Sequence, residues 1–267
     1  MLPQPSLALK RNVQTGFSVL FARTRAEIAE AQSLRYRVFV EEMGARVADM
    51  AEGIDRDTYD AYCEHLLVRD NKNAKVVGTY RILAPSKAQQ IGGFYADEEF
   101  ELTRLNNLRG ELVELGRSCV HPDYRSGAIL AMLWRGIARY MQNHGYRYLM
   151  GCASVSLADG GTLATRVSEL VRSLHAGPSE WRVFPRLPLP LETRALSNKI
   201  NAELTRREIP PLIKGYLHAG ALVCGDPAWD PGFNTADFFM LLPLERLAHR
   251  HAVRFLDRQA SNFALAS

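Results

Sequence analysis

An α/β fold with a mixed central sheet flanked by helices is predicted by three observations on this sequence. Short apolar runs alternate with stretches of helical period. Two of the runs, residues 65–68 and 76–83, are separated by Asp70-Asn71-Lys72-Asn73, so an antiparallel hairpin comes early. Further on, a strand, an amphipathic helix and another strand follow one another, which is how a parallel pair is built.

Each element has its own signal. Residues 17–21 read as a first strand. Thr24-Arg25-Ala26-Glu27 has the spacing of a capping box. Ile28, Ala31, Leu34 and Val38 follow at helical spacing, and Gly44 is a stop signal. A loop rich in Asp and Gly covers residues 45–62, and the hairpin comes next. A fourth strand is expected over residues 111–120, with a turn over residues 121–127. Ile129, Met132, Leu133, Gly136, Ile137, Tyr140 and Met141 then share one helical face, and Gly145 ends that helix. Residues 146–153 are a fifth strand. Leu163, Val167, Leu170, Val171 and Leu174 make a further helix before Gly177-Pro178. This order reads β-α-β-β-β-α-β-α.

The C-terminal third begins in a proline-rich stretch with Pro185, Pro188 and Pro190, then shows a helical pattern at Leu196, Ile200 and Leu204. Apolar runs at residues 219–224 and 238–242 are expected to add strands to the same sheet. The expected organisation is therefore one domain over residues 1–267, with a core at about 17–180 and an extension at about 181–267.

The composition is that of an ordinary globular protein: 267 residues, formal charge +4, 47% apolar and 23% charged. It excludes collagen, a coiled coil and a mostly disordered chain. No run of 18 apolar residues occurs, so no transmembrane helix is expected. The first 13 residues lack an apolar secretory core, and the expected location is the cytoplasm. Cys63, Cys119, Cys152 and Cys224 are widely spaced, with no CxxC pair and no HxxxH pair near a carboxylate, so no metal site is expected. The slight basic excess does not call for nucleic acid. It suits an acidic partner or an anionic membrane surface.

The segment Val120-His121-Pro122-Asp123-Tyr124-Arg125-Ser126-Gly127 ends a strand and opens a helix. Free N–H groups at such a helix start suit a phosphate; the competing reading is a plain surface turn. Together with the element order, this loop resembles that of the GCN5-related N-acyltransferase superfamily. Val120, Pro122, Tyr124 and Arg125 match, and one glycine, Gly127, stands where that family has two or three. The resemblance makes Val120, Arg125, Ser126 and Gly127 the donor-binding loop. The single glycine implies a phosphopantetheine arm with one phosphodiester rather than free coenzyme A.

A second set of residues resembles acyl-homoserine-lactone synthases over residues 25–160. It comprises Leu34-Arg35-Tyr36-Arg37-Val38-Phe39-Val40, Asp57-x-x-Asp60, Arg81-Ile82-Leu83 and Glu114-Leu115-x-Arg117. The segments at residues 210–216, 223–230 and 235–242 resemble the ornithine-lipid N-acyltransferases, sometimes labelled hemolysin-like, as does the segment at residues 114–121. The resemblance implies transfer of a 3-hydroxy fatty acyl group from acyl carrier protein to the α-amine of L-ornithine, forming lyso-ornithine lipid. It implies no bound cofactor, because 4'-phosphopantetheine enters on the carrier protein. The amphiphilic product suggests loose peripheral contact with the inner membrane. Rival readings are an N-acyl amino acid synthase for another amino acid, an acyl-homoserine-lactone synthase, and a non-catalytic protein that binds acyl carrier protein or lipid.

Such a reaction needs an uncharged amine, so a base must remove a proton first. Glu114 is the candidate base, with Arg117 as its catalytic partner. In a regular strand the two point to opposite faces; they meet only if a bulge intervenes, which Gly116 makes plausible. Arg37, Asp57, Asp60 and Arg81 are the substrate-binding set: the Asp pair for the distal ammonium, and Arg81 or Arg117 for the carboxylate. The competing role for Asp57, Asp60 and Arg37 is an ion-pair network that shapes the first helix and its loop. Residues 152–159 hold no tyrosine to protonate the leaving thiolate, and nothing selects Ser154 over Ser156. Cys119 or Cys152 as an acyl carrier is the rival mechanism. Trp181, Trp229, Phe238 and Phe239 suit an acyl tunnel or the core, and Arg104 and Arg109 suit carrier-protein docking or a solvated face.

Overall fold

The structure, a computed structural model, describes residues 16–46, 52–189 and 208–247. One sheet contains β1 (Phe17–Phe21), β2 (Glu64–Asp70), β3 (Val76–Leu83), β4 (Leu112–Val120), β5 (Tyr148–Ser156), β6 (Leu222–Val223), β7 (Ala228–Asp230) and β8 (Thr235–Pro243). Its order is β1-β2-β3-β4-β5-β8-β6, and β7 also pairs with β8. Only β4 and β5 run parallel; the other neighbours are antiparallel. The mixed sheet is the one read from the sequence, and strands from residues 222–243 extend it, with β7 an addition to the two strands expected there.

Helix α1 (Arg25–Tyr36) begins at the expected capping box: Glu27 N donates to Thr24 Oγ1 at 3.2 Å, and Thr24 N donates to the Glu27 carboxylate at 3.1 Å. It then widens into a π-helical turn over Arg37–Glu42 and ends at Gly44, whose φ of +74° explains the glycine. Short helices α2 (Pro85–Ile91) and α3 (Ala96–Glu99) fill the connection before β4, where the sequence shows no periodicity. On the opposite face lies α4 (Ala128–His144), which buries Ile129, Leu133 and Ile137 against Leu66, Val68 and Ile82. Each of those side chains contributes roughly 1.5–3 kcal/mol.

Beyond β5 come α5 (Thr162–Leu174) and α6 (Pro211–Ala219). The strand expected over 219–224 shrinks to Leu222–Val223, because Pro210 and Pro211 open a helix that runs to Ala219. The helical pattern at Leu196, Ile200 and Leu204, and the first 15 residues, lie outside the described residues.

Two irregularities position the site. On β3, Arg81 faces Gly116 and Thr79 faces Cys119, so two steps on β3 match three on β4. The extra residue falls at Arg117–Ser118, where Arg117 adopts a left-handed φ of +49°. Next to it, β4 and β5 pair only from Leu112–Tyr148 to Glu114–Met150, and the strands then part. Gly151 sits at the apex of this split, where a Cβ would lie 2.4 Å from the Leu115 carbonyl oxygen.

Candidate active site

A cavity of about 470 Å³ fills the split and reaches both faces of the sheet. Opposed residues on paired strands share a face, so Arg81, Glu114, Cys152, Ser154 and Asp237 point to the side of α1 and α3. Tyr80, Leu115, Leu130, Leu212 and Tyr216 line the other, more apolar end, toward α4 and α6. Val120, Arg125 and Gly127 line a third region at the start of α4.

Glu114 is 5% exposed and lines the cavity. Its Oε2 accepts from Tyr95 N at 2.8 Å and its Oε1 from Ala96 N at 2.7 Å, so the carboxyl group is held in one orientation. Burial pushes its pKa up to about 7, against the pull of those two N–H groups and of Arg81. A carboxylate of that strength suits a general base near neutral pH. Arg117 joins the same face through the bulge. Its guanidinium lies 5.1 Å from the Tyr95 ring centroid and 5.0 Å from that of Phe233.

Asp57 and Asp60 do not line the cavity. Arg35, 1% exposed, donates to Asp55 Oδ2 at 2.7 Å and to both Asp60 oxygens at 2.8 and 2.9 Å. Arg81 donates to Asp57 Oδ1 at 2.6 Å and to Asp60 Oδ1 at 3.3 Å, and Arg117 to Asp57 Oδ2 at 3.2 Å. Burial alone would raise Asp60, yet Arg35 and then Arg81 hold its carboxyl far below the usual range. Both carboxylates are thus spent on guanidinium groups. Their expected grip on a substrate cation gives way to the competing role: they anchor Arg81 and Arg117, which do line the cavity.

Arg37 also lies outside the cavity lining, exposed, with Nη1 at 2.8 Å from His121 Nε2. The buried arginine of this helix is Arg35, which lies in the segment singled out in the sequence but was given no role there. Its signal was present: Arg35 follows Ala31 by four residues on the inner stripe. Asp55, Tyr95, Glu99, Asp230 and Asp237 were passed over too. Tyr95 and Glu99 lie in a segment without periodicity. Asp237 sits in an apolar strand, where it reads as an isolated polar residue.

At the start of α4, Gly127 has a φ of +83° and lines the cavity, whereas Ser126 is exposed and does not. Arg125 is clamped by Glu42 of the π-helical turn at 2.5 and 2.6 Å, which neutralises much of its charge. The free N–H groups of the helix start are therefore the main anion donors there. Cys119 and Cys152 line the cavity, but burial pushes the Cys119 thiol up to about 12 and the Cys152 thiol higher than its ordinary value, so neither offers a thiolate. Trp181, Trp229, Phe238 and Phe239 line none of the cavity and pack in or against the core. Arg104 donates to the Ser179 carbonyl and Arg109 pairs with Asp97, so both are tied to their own surroundings.

Residues 34–135 match the acetyltransferase (GNAT) domain model. The chain is 38% identical over 258 residues to the L-ornithine N(alpha)-acyltransferase of Brucella abortus (strain 2308), covering 92% of this chain and 90% of that one. It is 38% identical over 254 residues to the enzyme of the same name from Rhizobium meliloti (strain 1021), covering 91% and 85%. An N-acyl amino acid synthase from uncultured soil microbes superposes with a TM-score of 0.51 at 13% identity, over 86% of this chain and 91% of that one, and shares the fold.

Proposed function

The chain belongs to the L-ornithine N(alpha)-acyltransferase family, and from that premise we propose how its cavity transfers an acyl group to ornithine. The donor is an acyl carrier protein whose phosphopantetheine arm enters past Gly127 and lies along β4, beyond the point where β5 lets go of it. One phosphodiester meets the helix start. A loop with one glycine, and an arginine already engaged by Glu42, suits that lighter demand. The acyl chain, 3-hydroxylated in the product class, occupies the apolar end between α4 and α6.

Transfer is direct. Glu114 takes a proton from the α-ammonium of ornithine, straight or through one water, and the freed amine attacks the thioester carbon. The carbonyl oxygen becomes an oxyanion that backbone N–H groups on the free edge of β4 stabilise. Collapse breaks the C–S bond and forms the amide; the second proton of the attacking nitrogen goes to the departing pantetheine sulfur, which leaves as the thiol, and lyso-ornithine lipid remains. Arg81 and Arg117, braced by Asp57, supply the positive charge that draws the substrate's carboxylate. The observation that carries this reading is the cavity itself: it passes through the split sheet and brings a fixed carboxylate, an apolar end and a helix start into one space.

The protein works in the cytoplasm at the inner membrane face. Among the described residues no helix is long and apolar enough to cross a membrane. Phe184 and Leu187, 40% and 45% exposed, lie in a segment with Arg182 and Arg186 that suits peripheral contact. The test is to supply 3-hydroxyacyl carrier protein, the matching coenzyme A thioester and a panel of amino acids, and to read products by mass. N-acylornithine from the carrier-protein thioester is expected. Product from the coenzyme A thioester alone overturns the donor, and product with other amino acids but not ornithine overturns the acceptor.

A further inference from the structure

The mechanism above leaves one part of the cavity unused. Glu99 at the end of α3, Asp230 at the end of β7 and Asp237 in β8 all line it, on the same side as Glu114. One carboxylate oxygen from each lies within 4.8 Å of the other two. No arginine or lysine is paired with any of the three by a salt bridge among the described residues. They differ in this from Asp55, Asp57 and Asp60, which are all neutralised.

Glu99 Oε2 is fully shielded from solvent and has no hydrogen-bond partner. A buried carboxylate oxygen left unpaired costs stability unless something supplies a donor. Asp237, 4% exposed, accepts from Thr235 Oγ1 at 2.9 Å, which orients it within the group. Burial, and then the charge of Asp237, push the Glu99 carboxyl well above its ordinary range. Burial raises Asp237 as well.

We propose that Glu99, Asp230 and Asp237 form the subsite for the distal ammonium of the acceptor, and so make the enzyme select a diamino acid. This rests on the acyl-transfer reading above and names what that reading leaves open. The geometry is specific. Three oxygens within 4.8 Å of one another share a point no more than about 2.8 Å from each, which is hydrogen-bond distance for an ammonium nitrogen with three N–H donors. Base and trio share one cavity and one short helix: Ala96 N of α3 holds Glu114, and Glu99 ends the same helix.

A divalent cation is the other ligand of the same charge that three carboxylates could take, and the experiment separates the two. Acyl transfer from 3-hydroxyacyl carrier protein is measured with L-ornithine and with L-norvaline, which has no distal amine, for the wild-type protein, Glu99→Gln and Asp237→Asn. Calorimetry follows ornithine binding, and a chelator arm follows metal dependence. The ornithine KM is expected to rise about tenfold or more in each variant, with little change in the carrier-protein KM or in norvaline turnover. Equal losses on ornithine and norvaline, an unchanged ornithine KM, or loss of wild-type activity on chelation would overturn the assignment. Wild-type protein that acylates no amino acid would instead overturn the acyl-transfer reading. Thermal melting of each variant shows that it is folded, and Glu99→Asp, which keeps the charge, is expected to recover part of the ornithine affinity.

Discussion

Glu114 and Arg117 stand three residues apart on one strand, yet both face the side of the sheet that carries α1 and α3. In a regular strand this is forbidden by the two-residue repeat of side-chain direction. The extra residue in β4, with Arg117 in the left-handed region, turns the second side chain over. A base and a guanidinium thereby enter one cavity.

That arrangement gives Arg117 a role that charge alone does not fill. Its planar group stacks between Tyr95 and Phe233 while donating to Asp57. Arg117→Lys keeps the charge and loses both the fork and the stacking. Turnover is expected to fall at least tenfold with the melting temperature nearly unchanged, as measured by steady-state assay and calorimetry.

Arg35 holds the loop that carries Asp55 and Asp60 to the inside of α1. Arg35→Met removes the main partner of two buried carboxylates and leaves Asp60 with Arg81 and Asp55 with Arg117, each at 3.3 Å. The expected loss is about 3–5 kcal/mol, read from urea unfolding, because removing one member of a buried ion pair leaves the other short of compensating charge. Loss under about 1 kcal/mol would show that water reaches these carboxylates.

Much of the fold was legible because its signals are local. The Thr24–Glu27 box starts α1, the turn at Asp70–Asn73 joins β2 to β3, and Gly145 ends α4, each where the sequence places it. The site was legible only in part. Glu114, Arg81 and Arg117 lie on strands whose pattern and resemblance mark them, and Gly116 beside Arg117 hinted at the bulge. The bulge falls at Arg117–Ser118, while Gly116 itself pairs normally with Arg81. Which acidic residues are free was not legible. Asp57-x-x-Asp60 looks like a ligand motif, but Arg35 lies more than twenty positions upstream, and only folding brings it to consume that charge. Glu99, Asp230 and Asp237 come from three separate elements and share no spacing.

The split between β4 and β5 depends on a missing side chain. In Gly151→Ala a Cβ meets the Leu115 carbonyl oxygen at 2.4 Å, and backbone cannot step aside as a side chain can. The expected cost is about 1–3 kcal/mol of stability, with a larger fractional loss of acyl transfer than of ornithine binding. Denaturant unfolding and calorimetry check the two parts.

The cysteines lining the cavity are expected to be spectators. Cys119→Ser is predicted to keep turnover within about tenfold of the wild type, since a thiol with a pKa near 12 is not a nucleophile at neutral pH. Intact-mass measurement after mixing with acyl donor alone should detect no acylated protein.

Proton removal by Glu114 is tested most directly by the pH dependence of single-turnover acyl transfer at saturating ornithine. Because the carboxyl group must be ionised to act, and its pKa lies at about 7, the wild-type rate is predicted to fall about tenfold for each unit below that value and to level off above it. Glu114→Gln is predicted to lose about a hundredfold or more in rate and to lose that acid limb. A glutamine variant that retained both the rate and the limb would assign the proton to another group and contradict the account.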